Sequence, residues 1–177
     1  MNLKILTTQI RGLLERISNG QEESIEETAR LLAQALIGEG RIVIAGFDEM
    51  EAVTSTALYG AEPLQRAVRY TDDLSFTAAD RVWLLARKGD HPAALQLARQ
   101  LAEEFIPFAV LTADPHDDSN ELADLAFTYI STGLKKGLIP GPNGERIVQP
   151  HALAALFVYE AVKLSLDEML ADDDELE

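Results

Sequence analysis

The chain has 177 residues, 47% of them hydrophobic and 25% charged, enough for one globular core and too little for two. It has no cysteine, which excludes disulfide frameworks, thiolate metal sites and a cysteine nucleophile. Fifteen Lys and Arg against thirty Asp and Glu give a net charge of −15, so neither nucleic acid nor anionic lipid is an expected partner.

The first residues, Met1 to Gln9, carry no apolar core of a secretory leader, and no apolar run reaches the roughly 18 residues of a membrane span. A soluble, cytoplasmic protein with no membrane partner is expected. Leu6, Ile10, Leu13, Leu14 and Ile17 lie on one helical face, and Ser18-Asn19-Gly20 breaks the pattern. Ile25, Ala29, Leu32 and Leu36 mark a second helix ending at Gly38-Glu39-Gly40. From Arg41 the period changes. Ile42-Val43-Ile44-Ala45 is a short β-branched run stopping at Gly46, as a strand buried on both faces should.

Similar runs recur at 67–70, 81–85, 108–112 and 125–130, with helical patterns over 49–60, 92–105 and 119–124 between them. Such alternation predicts βαβ units and a five-stranded parallel sheet flanked by helices, a three-layer α/β sandwich. Gly133 to Pro150 reads as one long ordered loop. A long last helix over 151–169 is apolar around most of its circumference, so more than one neighbour should cover it, a second subunit included. Seven acids fall within the last eleven residues. The single domain is therefore expected to span 1–170 and to end in an acidic, frayed tail over 171–177.

The segment from Asp80 through Arg81-Val82-Trp83-Leu84-Leu85 to Gly89 and the helix opening at Pro92 is followed by Phe108-Ala109-Val110-Leu111-Thr112 and Glu121-Leu122-Ala123-Asp124. In this order the residues resemble the sugar isomerase (SIS) domain, and over roughly residues 20–165 the chain looks most like the phosphoheptose isomerases. The resemblance implies sheet order 2-1-3-4-5, a phosphorylated sugar as ligand, aldose–ketose isomerisation as activity and no cofactor. Where SIS domains carry Ser-x-Ser-Gly-x-Ser/Thr, this chain has Ala86, Arg87, Lys88, Gly89, Asp90 and His91. The resemblance further implies sugar or phosphate contacts at Gly46 and Ser55 after the first strand and at Thr112 after the fourth. Glu62 and His151 lie near the places of its proton-transfer pair.

The residues themselves support an anion pocket. In an open parallel sheet the ligand lies beyond the carboxyl ends of the strands. Arg87, Lys88, Lys135, Lys136 and Arg146 all follow the third or fifth strand, and His91, His116 and His151 also follow strand ends. Arg87 and Lys88 can stand in for the serines, with backbone N–H groups around Gly89. Two glycines flank Lys135 and Lys136 and let the backbone approach a ligand. Isomerisation needs a base beside the carbonyl and an acid at its oxygen; Glu62, Asp48 or Glu49 can supply the first and His151 or His91 the second. The turn Asp114-Pro115-His116-Asp117-Asp118 has metal-ligand types without the spacing of a calcium loop, and no metal site is expected. Three readings stay open: an isomerase, a non-catalytic phosphosugar sensor, and a scaffold that has lost its ligand. Binding is weighted above catalysis, and a homodimer or tetramer is expected.

Overall fold

Successive residues on each strand point to opposite faces while residues two apart share one, and this alternation builds the molecule from the sheet outward. The computed structural model describes residues 2–174. Helix α1 (Leu3–Ile37) leads into strand β1 (Ile42–Gly46), a 3-10 turn (Asp48–Met50) and α2 (Glu51–Tyr59). Then come β2 (Ala67–Arg69), β3 (Arg81–Leu85), α3 (Pro92–Glu103), β4 (Phe108–Thr112), α4 (Glu121–Leu125) and β5 (Thr128–Ser131). A small hairpin, β6 (Ile139–Pro140) and β7 (Arg146–Ile147), precedes α5 (His151–Asp174). The five main strands form one parallel sheet in the order β2-β1-β3-β4-β5, as expected, and β6 pairs antiparallel with β7.

Ile42, Ile44, Trp83, Leu85, Ala109, Leu111 and Ile130 face one side, where α1, α2 and α5 pack on them. Val43, Val82, Leu84, Phe108, Val110 and Tyr129 face the other, under α3 and α4. These are the three layers. Trp83 is fully buried and stacks on Tyr159 of α5 with ring centroids 6.3 Å apart. At the amino ends of the strands, the buried Asp80 carboxylate takes Arg41 Nη2 at 2.8 Å and the Thr77 N–H at 2.9 Å, tying β1 to β3.

Four expectations are corrected. The two N-terminal helices are one helix of 35 residues, about 52 Å long. Leu13, Ile17, Ile25, Thr28 and Leu32 keep a single buried register through Ser18-Asn19-Gly20, and those three residues are exposed. There a glycine costs only about 1 kcal/mol, less than the packing gains. Gln21 fixes the segment from inside, its Oε1 accepting the Ser131 N–H of β5 at 3.0 Å. Residues 171–174 of the expected tail are helical, because Met169 and Leu170 pack against the core and carry α5 onward; residues 175–177 lie outside the described residues. The loop after β5 holds the β6–β7 hairpin, and Leu125, expected in the fifth strand, ends α4. Among the described residues no helix is long and apolar enough to cross a membrane.

Candidate functional site

The parallel sheet directs every loop that follows a strand to one edge, and there a cleft of about 840 Å³ opens. Its walls are Arg87 to Asp90 after β3, Ala113, Asp114, Pro115 and Asp117 after β4, Ser119 to Glu121 entering α4, Leu134 and Lys135 after β5, and Gln149 and His151 where α5 begins. Five of the residues picked out from the sequence thus share it: Arg87, Lys88, Gly89, Lys135 and His151.

Each is positioned by local chemistry. Gly89 packs so closely on the next loop that an added Cβ would lie 2.7 Å from Asn120 Oδ1. Asn120 caps α4 by accepting the Ala123 N–H, while its Nδ2 donates to Pro115 O at 2.9 Å and to Tyr129 Oη at 2.8 Å. Tyr129 Oη in turn donates to Asp114 O at 2.7 Å and meets Thr112 Oγ1 at 2.5 Å. Burial pushes the Tyr129 phenol up, so it stays protonated and keeps donating. Thr112 Oγ1 also accepts the Asp114 N–H at 3.1 Å, so this hydroxyl is spent beneath the cleft floor.

The charges are not basic: Arg87, Lys88 and Lys135 line the cleft with Asp90, Asp114, Asp117 and Glu121. Arg87 Nε donates to Glu49 Oε1 at 2.5 Å, which joins the turn after β1 to the loop after β3. Glu121 is held bidentate by Arg99. The Gly89 N–H, the backbone donor expected for an anion, goes to Asp114 Oδ2 at 2.7 Å. Neither Lys88 nor Lys135 is in an ion pair among the described residues. Lys135 lies close enough to Asp117 to help lower that carboxyl, behind the larger effect of hydrogen bonds from Ser119. Arg146 is used structurally, donating to Gly137 O and Leu138 O and closing the hairpin.

His151 opens α5 and is buried. Burial pulls its imidazole below the usual histidine range, with Glu49 raising it and Arg87 lowering it by lesser amounts. Glu49, Arg87 and His151 therefore form one electrostatic group, of which Arg87 and His151 line the cleft. His91 has a different task. Its Nδ1 caps α3 by accepting the Ala94 N–H at 3.3 Å, so the ring proton sits on Nε2 and is donated to Asp48 Oδ2 at 3.0 Å. Asp48 holds φ +54°, a left-handed backbone that aspartate tolerates better than most residues.

The remaining sequence candidates lie elsewhere. Glu62 is exposed beyond the end of α2, Ser55 is on the exposed face of α2, and Lys136 is exposed outside the cleft lining. Gly46 is needed for packing: a Cβ there would lie 2.5 Å from Met50 O and 2.6 Å from Thr54 Oγ1. Asp114, Asn120 and Tyr129 were not among the expected site residues. Asn120 was legible as a helix cap before Glu121, and Asp114 stood out only within the acidic turn. Tyr129 carried no signal beyond a place in an apolar strand.

Solved structures with this fold include the Vibrio vulnificus NanR protein complexed with ManNAc-6P, with a TM-score of 0.66 and 14% identity over 98% of this chain and 63% of that one. MJ1247 of Methanococcus jannaschii, whose structure was taken to infer a 3-hexulose-6-phosphate isomerase function, gives 0.64 and 12% over 94% and 90%. Phosphoheptose isomerase GmhA of Neisseria gonorrhoeae gives 0.63 and 14% over 90% and 94%. The fold is therefore that of the sugar isomerase domain. In sequence, the uncharacterized protein YwjG of Bacillus subtilis strain 168 is 31% identical over 171 residues, 96% of this chain and 98% of that protein. Residues 1–170 match the model of the domain of unknown function DUF2529, and the chain belongs to that family.

Proposed function

We propose that this protein binds a phosphorylated sugar in the cleft at the carboxyl ends of β3, β4 and β5. The observation that carries the reading is the pair Lys88 and Lys135: two lysines in no ion pair among the described residues, on the loops after β3 and β5 that line one cleft sized for a small ligand. They hold the phosphate, with Arg87 released to it when Glu49 turns away. The carboxylates Asp90 and Asp117 face the sugar hydroxyls as acceptors. Solved proteins of this fold are described as a ManNAc-6P complex and as phosphosugar isomerases, which supports the ligand class.

A second reading adds catalysis, and the group of Glu49 and His151 favours it. A neutral imidazole can donate a proton at a carbonyl oxygen while a carboxylate removes the proton from the adjacent carbon. In this reading Glu49 takes the part the sequence suggested for Glu62. Against turnover stands the Arg87–Glu49 contact, which must open before Glu49 can act as a base. Binding therefore leads, as a sensor would require.

We also propose self-association through an apolar groove of about 540 Å³ where Leu6, Ile10 and Leu14 of α1 meet Phe157 of α5. Sedimentation velocity should then return at least twice the 19.4 kDa chain mass, and a monomer at tens of micromolar would remove this part.

The ligand test is a thermal-shift screen against sedoheptulose, fructose, glucosamine and N-acetylglucosamine phosphates, with inorganic phosphate as control. Ligand at a hundred times its dissociation constant stabilises by about 2.7 kcal/mol, a rise of several degrees. Arg87→Ala with Lys88→Ala should abolish the rise. Unchanged affinity in that double variant would sink the phosphate assignment. A hit with turnover selects the isomerase, a hit without turnover the sensor, and no shift with any phosphosugar leaves the scaffold.

A further inference from the structure

A backbone donor lining the cleft, the Gly89 N–H, is already occupied. Gly89 N–H donates to Asp114 Oδ2 at 2.7 Å, so an intramolecular carboxylate sits where an incoming phosphate oxygen would take that hydrogen. We infer that Asp114 is an internal stand-in for the anion: its carboxylate fills the Gly89 N–H and must leave before a phosphate can use it, which makes Asp114 a gate on affinity. This rests on the phosphosugar reading above.

The surrounding bonds decide how such a gate moves. The backbone of Asp114 is fixed at both ends, its N–H by Thr112 Oγ1 at 3.1 Å and its C=O by Tyr129 Oη at 2.7 Å. The turn beyond it is held where Asn120 Nδ2 donates to Pro115 O at 2.9 Å. Only the side chain is left to move. Asp114 is half-buried at the cleft wall, and rotation about its Cα–Cβ bond carries the carboxylate toward water and the lysines without disturbing the loop. A phosphate cannot simply join it. One N–H cannot serve two anions well, and a carboxylate a few ångströms from a phosphate repels it. Gly89 offers no side chain that could shield one from the other.

The consequence is selectivity by displacement. A bare anion must break the Gly89–Asp114 bond on its own, whereas a phosphosugar adds contacts from its ring and hydroxyls that offset the loss. Inorganic phosphate should therefore bind the native protein poorly and gain most when the carboxylate is removed.

Calorimetric titration of the full chain with inorganic phosphate and with fructose 6-phosphate, on the native protein, Asp114→Asn and Asp114→Ala, reads the gate. Asp114→Asn keeps an oxygen for the Gly89 N–H and removes the charge; Asp114→Ala removes both. Asp114→Ala should bind inorganic phosphate about tenfold tighter than native or better, with Asp114→Asn between them. If the alanine variant fails to fold, the nearly isosteric asparagine carries the comparison. Binding that is measurable in the native protein and equal or weaker in both variants overturns the gate and leaves the phosphosugar reading standing. A native protein that takes neither probe beside an alanine variant that does supports both. Silence from all three proteins overturns both.

Discussion

Replacing Asp80 by Asn removes one negative charge from the junction that holds β1 against β3. The carboxylate is 1% exposed and accepts four hydrogen bonds: the Arg41 N–H at 2.9 Å, Arg41 Nε at 3.2 Å, Arg41 Nη2 at 2.8 Å and the Thr77 N–H at 2.9 Å. Burial would raise its pKa, but the Arg41 and Thr77 hydrogen bonds and the Arg41 charge outweigh burial and hold it at about 2, against 3.8 for a free carboxyl. Each pKa unit is about 1.4 kcal/mol, so the ionised form gains about 2 kcal/mol from the fold. An asparagine amide keeps one acceptor and turns its NH₂ toward an N–H or the guanidinium, which adds about 1 kcal/mol for a donor without a partner. The loss at pH 7 should be about 3 kcal/mol. In a domain of this size that is a fall in Tm of roughly 6–12 °C. Trp83 is the only tryptophan, lies fully buried three residues along, and reports unfolding by fluorescence. The sign of the pH dependence follows from the lowered pKa. The native protein holds this stabilisation in full above pH 4 and loses it as pH falls toward 2, whereas Asp80→Asn has none to lose. The gap between the two proteins must therefore narrow on acidification. A gap below 1 kcal/mol at pH 7, or one that stays constant down to pH 2.5, would refute the reasoning.

Two other perturbations read the cleft's frame. Val148 holds φ +62°, a left-handed backbone that a β-branched residue adopts only under strain, beside the cleft residues Gln149 and His151. Val148→Gly should leave stability unchanged or raise it by up to about 1 kcal/mol in urea unfolding, since its C=O still accepts the Leu138 N–H; a loss above 1 kcal/mol would contradict the strain. His151 has a lowered pKa, chiefly from burial, so its contribution to stability is complete above about pH 6.5 and falls away as pH drops through its folded value. Proton NMR of its imidazole should give a midpoint below 6.5, and one at or above 6.5 would refute its burial as a neutral ring.

The fold was largely legible because its signals are local and mutually consistent. Three β-branched residues, Ile42 to Ile44, followed by Ala45 and a glycine mark β1, and Asp80-Arg81 before a run of apolar residues marks the start of β3. The failures came where tertiary packing overrode local propensity. Ser18-Asn19-Gly20 is a sound helix stop in isolation, yet Ile17 and Ile25 on either side share one buried face and Gln21 bonds the end of β5. The carboxylates Asp172 to Asp174 disfavour a helix end, yet the packed Met169 and Leu170 extend it.

The site was legible in its residue types and its place on the sheet, but not in its electrostatics. Counting bases at the carboxyl edge suggested a cationic pocket, because a sequence records charge without recording partners. Folding assigns Arg87 to Glu49, Arg146 to two hairpin carbonyls and the Gly89 N–H to Asp114. Each partner is 8 or more positions distant, and that from Glu49 to Arg87 is 38, beyond any local spacing rule. Among the described residues Lys88 and Lys135 then remain for a ligand, in a cleft lined by four carboxylates and three bases. An exposed lysine is worth little in salt, so affinity for a phosphate must come from the sugar's fit and from rearranging existing pairs. The same argument explains why Glu49, one of three carboxylates the sequence offered as a base, stands out: it alone is coupled to both Arg87 and His151, and that coupling exists only after β1, β3 and α5 converge.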